Sequence, residues 1–174
     1  MKTHRRIWLT VLLAWSLAAC STLDVAPAAG LDRNMRWVVL PLINLTETPQ
    51  AGQRAAAIVD SVLRVRGIGD VVRAPQTLGG ESLFEPQDVA TQDKALAWAR
   101  TSGARYAIGG SVSEWRYKVG VDGEPAVGLI LQVTDLANNK VVWSAAGARS
   151  GWSREALAAV GQKLIRDLTQ PLAR

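Results

Sequence analysis

Histidine and cysteine are nearly missing from this chain, which holds His4 and Cys20 as its only examples among 174 residues. A single cysteine closes no disulfide within the chain. Without more imidazoles and thiolates, the ligand sets of zinc, copper, haem and iron–sulfur sites cannot be assembled. Nucleophilic schemes that pair a histidine with a serine or cysteine are limited to what these two N-terminal residues could offer. Long basic runs are absent too, and with them the electrostatic footprint of a nucleic-acid-binding protein, so no nucleic-acid partner is expected.

What the chain does carry at its start is a short apolar stretch. Lys2, Arg5 and Arg6 precede residues 7–19, which are mostly apolar and uncharged. Thirteen residues rise roughly 20 Å as a helix, short of the ~30 Å hydrocarbon core, so a permanent membrane span is not predicted. A basic start, an apolar middle and small residues at the end are the plan of a secretory signal peptide. Here the small residues run into a cysteine, Leu17-Ala18-Ala19-Cys20, and this ending resembles the bacterial lipobox. In such a lipoprotein signal the cut falls before Cys20, which takes a diacylglycerol and an N-acyl chain as the mature N-terminus. Ser21, rather than Asp, at the next position implies sorting to the outer membrane, on its periplasmic face.

Processing of this kind sharpens the absences. Cleavage discards His4, and acylation occupies Cys20. Residues 1–19 hold three of the 20 Lys+Arg and none of the 15 Asp+Glu, so 17 cationic side chains then face 15 acidic ones and the net charge falls from +5 to +2. The remaining 155 residues are enough for one domain with its own core. An enzyme would be left with carboxylate, Lys, Arg or Tyr chemistry, and no catalytic carboxylate pair stands out. The expectation is a protein that is not an enzyme, with no metal and no cofactor beyond the lipid on Cys20.

The expected layout is a signal peptide over 1–19, an acylated N-terminus and short tether over 20–34, and a single globular domain over 35–174. Residues 21–34 lack periodicity and contain APAAG, which reads as a tether reaching at most ~50 Å. Residues 36–43 are apolar and rich in β-formers, a buried strand disturbed by Pro41. Over 51–66, Ala55, Ile58, Val59, Val62 and Leu63 share one stripe opposite Gln53, Asp60 and Arg64, which predicts a helix stopped by Gly67. A short strand at 70–73 and a helix over 89–101 follow, separated by a loop. Three strands then succeed one another at 105–119, 126–136 and 140–149. Asp122-Gly123 and Asn138-Asn139 supply their hairpin signals. Ser153 is expected to cap a last helix to 169, with Leu157, Val160, Leu164 and Leu168 on its buried stripe. The order β-α-β-α-β-β-β-α predicts an α+β domain with one mixed sheet and helices packed largely on one face.

Few residues invite a chemical reading. Asp122-Gly123-Glu124 lacks the oxygen ligands of a calcium loop and reads as a hairpin tip, or as an acidic surface repeated in an oligomer. The glycines of GARYAIGGS at 103–111 run from helix to strand, the wrong order for a phosphate loop, so Gly109-Gly110 predicts a close backbone approach. Glu114, Arg116 and Lys118 alternate along one strand face and predict cross-strand ion pairing. Among the tryptophans, Trp37 and Trp143 are expected in the core. Trp98 shares a helix face with Ala95. Trp152, between a strand and a helix, suits either a membrane interface or a staple onto the last helix.

Two stretches resemble a known fold group. VVLPLIN at 38–44 before an amphipathic helix, and ALAWARTSGARYAIGGSV at 95–112, are similar to TolB N-terminal-like domains, over roughly 36–170. The domain with little tether, and Ser150-Gly151-Trp152-Ser153 before the last helix, most resemble the Pel polysaccharide export lipoproteins of the outer membrane, the PelC-like family. That resemblance implies a two-layer α/β sandwich and a dodecameric ring on the outer membrane beside an export porin. It also implies Trp152 facing the bilayer, and Asp122 and Glu124 on an acidic surface that guides a cationic polysaccharide. The alternative is a lipoprotein that activates or binds a cell-wall synthase. A glycan hydrolase or deacetylase working with carboxylates alone is the third reading.

Overall fold

The computed structural model describes residues 21–75, 89–120 and 123–173. Its elements run β1 (Ser21–Val25), β2 (Arg36–Val39), β3 (Ile43–Asn44), α1 (Ala51–Val65), β4 (Asp70–Arg73), α2 (Val89–Thr101), β5 (Tyr106–Tyr117), β6 (Pro125–Asp135), β7 (Lys140–Ser150), α3 (Leu157–Leu168) and a closing 3-10 turn (Gln170–Ala173). One mixed sheet joins the strands in the order β1-β7-β6-β5-β2-β4, with β3 paired to β5. The α+β architecture is the one expected from the order of elements.

Strand β2 lies between two parallel neighbours, β4 and β5. A strand covered on both faces needs apolar residues at consecutive positions, and Trp37, Val38 and Val39 supply them, all buried. Trp37 and Val39 face the larger core with Ile108, Leu129 and Leu131, under Val59, Val62 and Leu63 of α1 and Leu164, Ile165 and Leu168 of α3. Val38 and Leu40 point the other way, to Ala95 and Ala99 of α2. Two helices therefore share one face, and α2 covers part of the reverse. Each fully buried large aliphatic contributes about 1.5–3 kcal/mol before the entropy of ordering is counted.

Local chemistry accounts for several boundaries. Gly67 takes a φ of 78° behind α1, and the Ile68 N–H bonds Leu63 O at 3.2 Å, a stop only glycine makes cheaply. At Gly110, with φ 143°, a Cβ would stand 1.9 Å from Ile130 O, so β5 and β6 approach there as the glycine pair predicted. Asn139 turns the β6–β7 hairpin at φ 57°. Asp135, buried ahead of that turn, accepts from Arg105 Nη2 at 2.7 Å, Ala137 N–H at 3.0 Å and Asn138 Nδ2 at 3.1 Å.

Three expectations give way. Residues 21–25, read as tether, form β1, paired antiparallel with β7 from Ser21↔Arg149 to Val25↔Ala145. The unpaired edge of β7 is a template for any nearby strand, and four of the five β1 residues are exposed, so no apolar alternation announces it. The residues that follow are pinned as well: Trp143 Nε1 donates to Ala26 O at 2.9 Å and Trp37 Nε1 to Asp32 O at 3.2 Å. Second, Ser153 does not cap α3, which begins at Leu157. The helix's first N–H is satisfied from across the fold, Leu157 N–H donating to Tyr117 Oη at 3.2 Å. Third, the ion pair of Glu114 runs along its own strand to Arg116 at 3.1 Å, while Lys118 Nζ donates to Ser150 Oγ at 2.6 Å.

Candidate functional site

One end of the sheet carries Trp152 and Glu124, the two described residues among the sequence-based site candidates. Strand β1 starts there, β7 ends there, and β5 hands over to β6, with Ser21 opposite Arg149, Ala126 opposite Ser150 and Tyr117 opposite Pro125. Cys20, which precedes Ser21 in the sequence, lies outside the described residues. Paired backbones stand about 5 Å apart and three further residues reach at most ~10 Å, so Ser21 lies within roughly 15 Å of Trp152. A shallow depression of about 350 Å³ at this end is lined by Ser21, Thr22, Glu114, Ala148, Arg149 and Ser150.

Trp152 is 64% exposed, so the staple reading does not describe it. Nearby, Val119 is fully exposed and Tyr117 half exposed. The other described tryptophans behave differently. Trp37 and Trp143 are in the core as expected, Trp115 packs on Gly161 of α3, and Trp98 is partly buried on α2.

The indole is carried by a tight turn. Glu155 N–H donates to Trp152 O at 2.9 Å, and Arg154 adopts a φ of 68°. Glu155 closes the turn from its side chain: Oε2 accepts Trp152 N–H at 3.2 Å and Oε1 accepts Lys163 Nζ at 2.6 Å. The hydrogen bond from Lys163 holds the Glu155 carboxyl below the usual carboxylate range, partial burial works against it, and the Trp152 N–H adds to the lowering. Tyr117 Oη donates to Glu155 O at 3.4 Å while accepting from Leu157. Before the turn, Gly151 N–H bonds Pro125 O at 2.8 Å. A Cβ on Gly151 would meet Val160 Cγ2 at 2.4 Å and Glu155 Oε2 at 2.6 Å. Sequence reasoning singled out Trp152 and missed Glu155 and Tyr117. The glutamate three residues on was the available signal; the tyrosine is 40 residues from the helix it caps.

The acidic candidates divide. Glu124 is exposed just before β6, and its carbonyl accepts the Lys118 N–H at 2.7 Å. Asp122 lies outside the described residues. Among the described residues no cluster of acidic, histidine or cysteine side chains could hold a metal ion, and no helix is long and apolar enough to cross a membrane.

No protein-family model and no curated protein sequence matches the chain. Solved structures do. The PelC dodecamer from Paraburkholderia phytofirmans is 42% identical with a TM-score of 0.75, over 88% of this chain and 98% of that one. A single-substitution variant of the same dodecamer is 41% identical, also at 0.75, over 87% and 97%. A lipoprotein from Neisseria meningitidis, 14% identical with a TM-score of 0.54 over 80% of this chain and 98% of its own, shares the fold alone. The mixed sheet with two helices on one face and a third on the reverse gives the chain an α+β fold of the TolB N-terminal-like class. Within that class the chain belongs to the PelC family of Pel exopolysaccharide export lipoproteins.

Proposed function

We propose that this protein is a non-catalytic ring component of an exopolysaccharide export apparatus, held on the periplasmic face of the outer membrane by the acyl chains of Cys20. The observation that carries the reading is the 42% identity to the PelC dodecamer over nearly the whole of both chains. A ring multiplies weak membrane contacts, because every protomer contributes an anchor and a Trp152. Support for that second contact comes from the exposure of Trp152 and Val119, which follow the strand ends of the sheet end where β1 begins. Tryptophan suits a bilayer interface, its ring in apolar surroundings and its N–H wet.

Glu124 is exposed just before β6 at the same end, and Asp122 precedes it by two residues in the sequence. Repeated around a ring, they would line an opening beside an export porin and concentrate a cationic polysaccharide there, although the net charge after signal removal is +2. Twelve-fold assembly is expected by likeness to the relative. Light scattering on the acyl-free domain, alone and on vesicles, is expected to give about twelve protomer masses. A domain that stays monomeric at high concentration and on vesicles overturns the ring. Recovery of a peptidoglycan synthase with no export defect would replace the whole reading by the cell-wall alternative.

A further inference from the structure

We infer that Glu155, together with Lys163 and Tyr117, is a positioning group that presets the Trp152 turn for insertion into a lipid surface; this rests on the bilayer-facing reading of Trp152. A four-residue surface turn with a non-glycine residue at a φ of 68° and an exposed indole has little of its own to keep one shape. Here it is tied at both ends. Gly151 locks its base onto Pro125 and Val160, with no room for a Cβ. The Glu155 carboxylate bridges Trp152 N–H and Lys163 Nζ, and Tyr117 Oη bridges Glu155 O and Leu157 N–H.

Each of these bonds involves the turn's backbone or the Glu155 carboxylate, not the indole. They fix the stem and leave the ring free to meet lipid. The side-chain bond is closed by a group whose alternative partner is water, and its second oxygen is held by a lysine from α3, so the brace transmits the rigidity of the helix to the turn. An aromatic already held in its bound pose loses less conformational freedom on insertion, and that difference goes directly into membrane affinity. Capping of α3 accounts for the Tyr117 bond to Leu157 N–H, whereas the Glu155 carboxylate that bridges Trp152 N–H and Lys163 Nζ acts on the turn itself.

The test uses the full acylated protein in phosphatidylethanolamine–phosphatidylglycerol vesicles with brominated acyl chains. The signal is the part of tryptophan quenching that Trp152→Ala removes, with amide exchange at Trp152 as a second readout. Glu155→Ala is expected to lose at least half of that quenching and to speed the Trp152 amide about tenfold. Glu155→Gln, whose Oε1 still accepts the Trp152 N–H, is expected to keep most of both. Lys163→Met, which leaves the turn's own bond in place, is expected to show a smaller loss of the same sign. Wild-type quenching and exchange in Glu155→Ala and Lys163→Met overturn the brace while leaving Trp152 in the bilayer. Quenching that Trp152→Ala does not reduce overturns the bilayer reading, and the brace with it.

Discussion

Gly161 shows how a single residue decides the packing of the larger core. It sits inside α3, where alanine would be favoured by about 1 kcal/mol on helix propensity. Yet a Cβ there would stand 2.6 Å from Trp115 Cη2 and 2.9 Å from Cζ3, and Trp115 is 2% exposed, with nowhere to retreat. Overpacking a filled core costs about 1–3 kcal/mol, more than the propensity returns. Gly161→Ala is therefore expected to lower stability by about 1 kcal/mol and Gly161→Val by more, read as a falling urea midpoint. A stabilised Gly161→Ala would mean the ring moves aside freely. Glu155 works at the same scale on the surface, spending one carboxylate on a neighbour's backbone and a helix lysine.

Among the elements, β1 changes most between sequence and structure. A free tether of residues 20–34 would let the domain roam up to ~50 Å from the proposed lipid anchor, whereas β1 is docked on the edge of the sheet from Ser21 onward. Ala26 N–H bonds Ser144 O at 3.0 Å, and antiparallel ladders repeat that pattern every second residue, so Asp24 is on a bonded position. Asp24→Pro removes that donor and is expected to undock β1. The β7 amides opposite it should then lose hydrogen-exchange protection, with β2, β5 and β6 unchanged. Unaltered protection along β7 would show that the strand does not depend on this ladder. Helix α3 makes a similar point, since its start is set by Tyr117 on β5 and not by the serine that local propensity favours.

At the scale of the whole molecule, charge and membrane contact must be read through the assembly. With the proposed signal removed the net charge would be +2, so the proposed guiding role of Asp122 and Glu124 rests on their repetition in the proposed ring. The double change Asp122→Asn and Glu124→Gln is expected to cut polymer export several-fold while leaving ring mass and membrane binding as they were. Export that continues unchanged removes the charge role from these residues without touching the ring. Because exposed charges act over about 10 Å at 0.1 M salt, binding of the cationic polymer to the purified ring should weaken as salt rises.

By itself the sequence determined what short-range chemistry can determine. The α1 stripe repeats at helical spacing, Gly67 and Asn139 carry their own turn preferences, and β2 is apolar at every buried position. These signals need no distant partner, and with the resemblance they sufficed for the fold class and the family. Only the tertiary structure decided that Ser21–Val25 is a strand, that α3 starts at Leu157, and that Trp152 stands exposed on a braced turn beside that strand. The first two depend on a group far along the chain: Arg149 for Ser21 and Tyr117 for Leu157. Propensity is blind to such pairs, because their free energy exists only once the sheet has closed and brought them together.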